Sequence, residues 1–235
     1  MNPSTITLLM PVLNEIDGLR ALLPQIDRSL FDEVVIVDGG SNDGSVEFAL
    51  AAGLRVIRQR RKGLAFGVFD ALKELSTEYV IEFSPDGNCR PEDLAPLVAE
   101  LSQGYDLVVV SRYLPGARSY DDTAVTAFGN WVFTQSIRWL GRFPVTDSLT
   151  IYRGFRRSIC LDGEFENYLR GPVLEPLVTA WATLAQMKIC EIPGDEPARI
   201  GGEQKMRVIY NGSCILWMVF RLYWRKLLRG FGSSK

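Results

Sequence analysis

The sequence predicts an α/β fold, with a mostly parallel central sheet and helices on both faces. Three observations carry that expectation. Short apolar runs alternate with amphipathic stretches through the first half of the chain, the run over 33–37 is β-branched and unbroken after its first residue, and polar loops follow the strands. A strand buried on both faces reads as a continuous apolar run, and strand–helix alternation closes into a parallel sheet covered by helices.

Taken in order, residues 6–12 read as a strand, 16–30 as a helix capped near Asn14, and 33–37 as the buried strand. A helix over 45–52, a strand over 55–59, a helix over 63–75 and a strand over 79–83 follow. The next helix, 92–101, starts after Pro91, whose missing N–H is harmless in a first turn, and 106–111 is the next strand. Beyond Ser111 the alternation loosens. Residues 124–140 and 174–185 read as helices, 188–192 as a short strand, 193–207 as a loop rich in Gly, Pro and charge, and 211–229 as a strongly amphipathic helix. Ligands of such folds sit at the carboxyl ends of the strands, where the loops after Val12, Val37, Phe83 and Val110 gather.

Composition bounds the chemistry. With 235 residues and 47% apolar content, the chain can bury one real core. A net charge of −2 excludes the global basic field of a nucleic-acid binder. The tail differs, since after Glu203 there are only basic charges: Lys205, Arg207, Arg221, Arg225, Lys226, Arg229 and Lys235. Cys89, Cys160, Cys190 and Cys214 form no C-x-x-C pair, so neither structural zinc nor a disulfide framework is indicated. The start, 1–11, has no basic leader with a long apolar stretch, and no run approaches the roughly 20 apolar residues of a spanning helix. A reducing, cytoplasmic setting is the expectation. With no histidine in the chain, histidine triads and histidine-ligated metals are excluded.

Two loops carry most of the polar chemistry. The first, Asp38-Gly39-Gly40-Ser41-Asn42-Asp43-Gly44-Ser45, combines an acid at a strand end with glycines that permit close backbone approach. A tight strand-to-helix turn explains it equally well, and it lacks the Gly-Lys-Ser/Thr ending of a phosphate-binding P-loop. The second, Ser84-Pro85-Asp86-Gly87-Asn88-Cys89-Arg90-Pro91-Glu92, offers oxygen ligands at Asp86 and Asn88. Magnesium commonly takes one or two carboxylates plus substrate phosphates, although Asp-Gly is also an ordinary turn.

In combination the segments are more specific. Pro11-Val12-Leu13-Asn14-Glu15, the run 35–45, Lys62-Gly63-Leu64-Ala65, Asp86-Gly87-Asn88 with Pro91-Glu92, Ser111-Arg112-Tyr113, the run 147–156, and Glu191-Ile192-Pro193 followed by Arg199 and 202–206 occur in that order. Over roughly 5–207 this resembles the family 2 glycosyltransferases, in particular the dolichyl-phosphate mannosyltransferase-like, polyprenyl-phosphate branch. The resemblance implies a GT-A type nucleotide-binding fold, with a catalytic domain over 1–207 and a C-terminal amphipathic, basic helical extension over 208–235. It implies that Pro11, Asn14, Glu15 and Asp38 line the base and ribose and that Lys62 and Gly63 lie near the nucleotide. Asp86 becomes the principal metal and diphosphate residue. Asn88 joins it at the metal, where the branch usually has glutamine, and the cofactor is Mg or Mn. Arg112, Arg199 and Lys205 face substrate phosphates as catalytic residues. Two departures stand out: Ser84 replaces the first acid of the aspartate-x-aspartate motif, and Ile151 stands where the family usually has glycine before an aromatic residue.

The implied reaction is an inverting transfer from a nucleotide-diphosphate sugar to a polyprenyl phosphate. A phosphate monoester, with a second pKa of about 6, is ionised near neutrality and needs positioning rather than a base. Alternatives are a saccharide hydroxyl acceptor, which requires a base such as Glu175, Asp121 or Asp122, or a catalytically weakened nucleotide-sugar-binding protein. In the C-terminal helix Arg221, Arg225 and Arg229 form a basic row beside Trp217, Phe220, Trp224 and Leu227. This describes a helix lying on an anionic membrane surface, here the cytoplasmic face, with packing on protein as the other reading. No nucleic-acid partner is expected, and a homo-oligomer is left open.

Overall fold

The computed structural model describes residues 4–141, 143–200 and 208–229. Its strands are β1 (Ile6–Val12), β2 (Glu33–Asp38), β3 (Arg55–Arg58), β4 (Tyr79–Glu82), β5 (Leu107–Ser111), β6 (Arg153–Arg156) and β7 (Ile189–Pro193). Its helices are α1 (Ile16–Leu22), α2 (Ser45–Ala51), α3 (Leu64–Glu74), α4 (Leu94–Ser102), α5 (Ala124–Gly141), α6 (Leu174–Leu184) and α7 (Val208–Arg229). The strands make one sheet in the order β3-β2-β1-β4-β6-β5-β7. β6 runs antiparallel to both neighbours, while the other pairs are parallel.

Side-chain alternation sorts each strand between two cores. Leu8 and Met10 of β1, Ile36 of β2 and Val108 of β5 pack with α1, α2 and α4. Leu9, Val35, Val37 and Val109 pack with α3, α5, α6 and α7. Helices therefore cover both faces, as expected.

Three local differences from the sequence reading have physical causes. The helix expected over 16–30 ends at Leu22 and continues as short 3-10 turns, Leu23–Gln25 and Arg28–Leu30. Pro24 sits in the first of these and cannot continue an α-helical ladder. Asn14 does not cap α1: it lies in the left-handed region at φ 59° and accepts from the Asn42 amide. β6 is an additional strand, in a run whose outer residues are arginines. Arg153 is fully buried there, its donors taken by the carbonyls of Ser148, Thr150 and Glu175 and by the Thr179 hydroxyl.

α7 also sits differently. Cys214, Ile215, Met218 and Leu222 are buried in the same core as α5 and α6. Fully burying a side chain such as Met218 or Leu222 contributes about 1.5–3 kcal/mol. The basic row turns inward rather than toward a surface partner. Arg221 donates to the Asn167 carbonyl and stacks over Tyr168 and Trp217, and Arg225 pairs with Glu164 at 2.8 Å over the Trp181 ring. The Arg229 side chain lies outside the described residues. Phe220, Trp224, Leu227 and Leu228 are the exposed row, with Phe220 and Trp224 stacked on each other. No helix among the described residues is long and apolar enough to cross a membrane.

Candidate active site

The loops after β1 and β2 are sewn together by backbone amides and short polar side chains. Asn14 N–H donates to Ser41 Oγ, Glu15 N–H to Ser45 Oγ and Ile16 N–H to Asp43 Oδ2, each at 3.0 Å. Asp38, only 4% exposed, accepts the Ser41 amide on Oδ1 at 2.9 Å. Beside it opens a cleft of about 470 Å³. Asp38, Gly39, Gly40 and Ser41 form one wall, and Arg58, Gln59, Arg60, Arg61 and Lys62 form the other. Arg60 and Arg61 are paired with Glu74, Asp70 and Glu166. Among the described residues Arg58 and Lys62 have no such partner, so the cleft keeps free positive charge.

Of the residues expected at the nucleotide, Asp38 and Lys62 line this cleft, and Gly63 follows with φ +111°. Asn14 and Glu15 belong to the loop tied to it, whereas Pro11 is buried within β1 opposite Val37. The wall Arg58–Gln59–Arg60–Arg61 was not singled out from sequence. Its signal was available as a basic run directly after a strand.

The second loop approaches through two glycines. Gly18 of α1 lies so close to the Pro85 carbonyl that a Cβ there would stand 1.8 Å from its oxygen. Gly87, at φ +104°, lies under Ile200, whose backbone nitrogen would be 2.8 Å from an added Cβ. The Ile200 amide donates to the Asp86 carbonyl at 2.7 Å. Asp86 is 6% exposed; one carboxylate oxygen accepts the Asn88 amide at 3.0 Å and the other pairs with Arg199 at 2.9 Å. Asn88 Nδ2 donates to Asp121 Oδ2 at 3.0 Å. That bond orients the amide, leaving the buried Asn88 Oδ1 without a partner among the described residues.

Arg112 has two carboxylate partners inside the protein, where the resemblance implies a substrate phosphate. Its Nε lies 2.7 Å from Asp147 Oδ2, its Nη2 donates to Asp147 Oδ1, and its Nη1 lies 3.0 Å from Glu196 Oε1. Burial alone raises the Asp147 carboxyl, but the guanidinium overrides it and holds that group below its ordinary value. Glu196 also accepts from the Ser119 hydroxyl, and its backbone pairs with Arg118 and Tyr120. Arg112 thus joins the loop after β5 to the segment after β7 that carries Arg199. Lys205 lies outside the described residues.

Beneath the Asp86 loop, Glu82 is fully buried with neither carboxylate oxygen hydrogen-bonded among the described residues. Burial, reinforced by the neighbouring Glu175 charge, pushes its pKa well above the ordinary value, against the pull of Arg153. Glu175 is itself buried and its backbone carbonyl accepts from Arg153. A separate depression of about 400 Å³ on α5, lined by Gln135, Arg138, Trp139, Phe143 and Pro144, shares no residue with these loops.

A mostly parallel sheet, with an open cleft after β2 and the Asp86 loop after β4, is the GT-A type fold of glycosyltransferases. The solved glucosyl-3-phosphoglycerate synthase of Mycobacterium tuberculosis, in complex with Mn2+, UDP and phosphoglyceric acid, has this fold. It superposes with a TM-score of 0.67 at 20% identity, covering 94% of this chain and 78% of that one. The chain belongs to glycosyl transferase family 2, whose family model matches residues 7–162. An uncharacterised glycosyltransferase of Mycobacterium tuberculosis H37Rv is 31% identical over 220 residues, covering 94% of this chain and 98% of the relative. A dolichyl-phosphate hexose transferase of Haloferax volcanii is 29% identical over 213 residues, covering 89% and 90%. The chain spans 53% of the length of the glycosyltransferase AglJ of the same archaeon, at 29% identity over 164 residues and 68% of this chain.

Proposed function

We propose that this glycosyltransferase moves a sugar, with inversion, from a nucleotide-diphosphate donor to a polyprenyl-type lipid phosphate at a membrane surface. The observation that carries the acceptor is the outer face of α5 and α7. Phe128, Trp131, Trp139, Phe220, Trp224 and Leu227 are all exposed there, and neither helix contains an acidic residue. Exposed aromatic and aliphatic side chains without acids suit an anionic bilayer. The membrane contact is thus made by the apolar row of α7, together with α5, rather than by its docked arginines. Similarity to the dolichyl-phosphate hexose transferase supports the same acceptor class.

At the donor, Asp38 holds the base or ribose, and Arg58 and Lys62 supply positive charge along the cleft. A divalent cation, Mg or Mn, fits the second loop: Asp86 offers a carboxylate, and the oriented Asn88 Oδ1, without a partner among the described residues, offers a second oxygen. When bound it supplies charge neutralisation to the diphosphate leaving group. Arg199, beside Asp86, and Lys205 add cationic groups for the same charge. Arg112 positions the segment bearing Arg199. A lipid phosphate attacks as an anion, so no side chain removes a proton.

The test is transfer from labelled UDP- and GDP-sugars to dolichyl or undecaprenyl phosphate in liposomes, beside oligosaccharides and 3-phosphoglycerate. Product on the lipid phosphate is expected. Product only on a saccharide or 3-phosphoglycerate would replace this acceptor. Trp224→Asp is expected to lower lipid transfer several-fold while leaving donor hydrolysis unchanged.

A further inference from the structure

Asp86 already has a counter-cation. The Arg199 guanidinium lies 2.9 Å from one carboxylate oxygen, and the other oxygen holds the Asn88 amide. The segment that delivers Arg199 is fastened on both sides. Downstream, the Ile200 amide bonds the Asp86 carbonyl at 2.7 Å, and Ile200 seats on Gly87. Upstream, Asp195 accepts the Arg118 amide at 2.8 Å and faces Arg90, while Glu196 is held by Arg112. Ser84 stands two residues before Asp86, where it offers no second carboxylate, and Arg199 neutralises Asp86. Arg199 Nε is buried and has no acceptor among the described residues, so the guanidinium has donor capacity to spare.

We propose that Arg199 is the resident counter-cation of Asp86, and that a divalent cation is admitted only together with the donor diphosphate. This rests on the reading of Asp86 as the metal residue of the transferase. A cation arriving alone must displace a partly buried guanidinium whose carboxylate partner among the described residues is Asp86, and it gains one carboxylate and one amide oxygen. Breaking a buried ion pair from one side is strongly unfavourable, and so sparse a ligand set binds a divalent ion weakly. A diphosphate changes the balance. It offers paired oxygens that the planar guanidinium can bind bidentately, including through the unused Nε, and further oxygens to the cation. Arg199 then exchanges Asp86 for phosphate, and Asp86 becomes available. The binding order follows from one arginine, and Ser84 sharpens it, because the position two residues before Asp86 offers no acid to hold a cation while Arg199 stays in place.

The test measures Mn2+ binding to the full chain without nucleotide, from the electron paramagnetic resonance signal of free Mn2+. Arg199→Gln is expected to bind Mn2+ alone about ten-fold or more tighter than wild type, the scale of one charge-assisted hydrogen bond. Adding Asp86→Asn to that variant is expected to remove the gain. UDP or GDP is expected to raise Mn2+ affinity far more in wild type than in Arg199→Gln. Equal Mn2+ affinity in wild type and Arg199→Gln, or a gain that survives Asp86→Asn, overturns the proposal. Ile200→Gly loosens the same segment without changing charge and is expected to give a smaller gain. It decides the matter if Arg199→Gln does not fold, since no gain there also overturns the proposal. A thermal-shift panel separates the underlying reading: if no nucleoside diphosphate raises the melting temperature, the transferase assignment fails, while the Mn2+ comparison still judges Arg199.

Discussion

The two ends of the proposed donor site are built on opposite principles. Around Asp38 the loops are joined by amides, hydroxyls and an asparagine, and Arg58 and Lys62 have no ion-pair partner among the described residues beside an open cleft. Around Asp86 charges are joined to charges: Arg199 to Asp86, and Arg112 to Asp147 and Glu196. The first end is preorganised, and under the proposed function it accepts a nucleotide without breaking an ion pair. The second is neutralised from within, and in the proposed exchange a ligand binds there by swapping partners.

The largest expected effect tests whether the second end is a structural lattice. Arg112→Ala leaves the buried Asp147 and the largely buried Glu196 without their cation, and should destabilise the fold by about 3–5 kcal/mol. Chemical denaturation of the variant measures this; a loss below about 1 kcal/mol would mean that Arg112 is free to serve a substrate. Next, Asp86→Asn should slow transfer by about 10²–10³-fold, the scale for losing one group that acts on transition-state charge. Rates under saturating donor check it.

The buried carboxyl beneath that loop gives a pH test. The folded Glu82 holds its proton above the ordinary value of 4.5, whereas the unfolded chain releases it near that value. The native state then binds more protons, so stability falls as pH rises from about 4.5 toward the folded pKa, by up to about 1.4 kcal/mol per pH unit. Glu82→Gln lacks this slope and should gain on wild type between pH 5 and pH 7 in paired melts. Parallel curves would show that Glu82 is ionised. The smallest effect belongs to the first end. Asp38→Ala should weaken nucleoside monophosphate and diphosphate binding by a similar factor of about ten, the loss of one charge-assisted hydrogen bond. Calorimetry showing a loss confined to the diphosphate would move Asp38 to the other end.

The sheet was legible because burial on both faces leaves unbroken apolar runs, as in β1, β2 and β5. β6 was not, because Arg153 and Gly154 look like loop residues. Only the carbonyls that surround Arg153 and the tight contact of Gly154 with Leu97 and Leu101 make them strand residues. Asp38 and Asp86 stood out as acids in their loops, and Arg199 was reached only through the family resemblance. The pairing was not legible, since Asp86 and Arg199 meet only through the path of the chain after β7. The sense of α7 was misread for a related reason. An arginine row beside an aromatic row is symmetric on a helical wheel, and the rings of Tyr168 and Trp181 and the carboxylate of Glu164 decide which row turns inward.

Gly18 gives the site a ruler. Its backbone rests on the Pro85 carbonyl, so the helix that begins at the nucleotide loop and the loop that carries Asp86 touch with no side chain between them. Their separation is set by two main chains, which cannot be repacked as side chains can. A single methyl at this point would lengthen the gap between the Asp38 loop and the Asp86 loop, the two ends of the proposed donor site. On that proposal the reach between the nucleoside and the diphosphate is set in peptide units, and residue 18 is where it is kept.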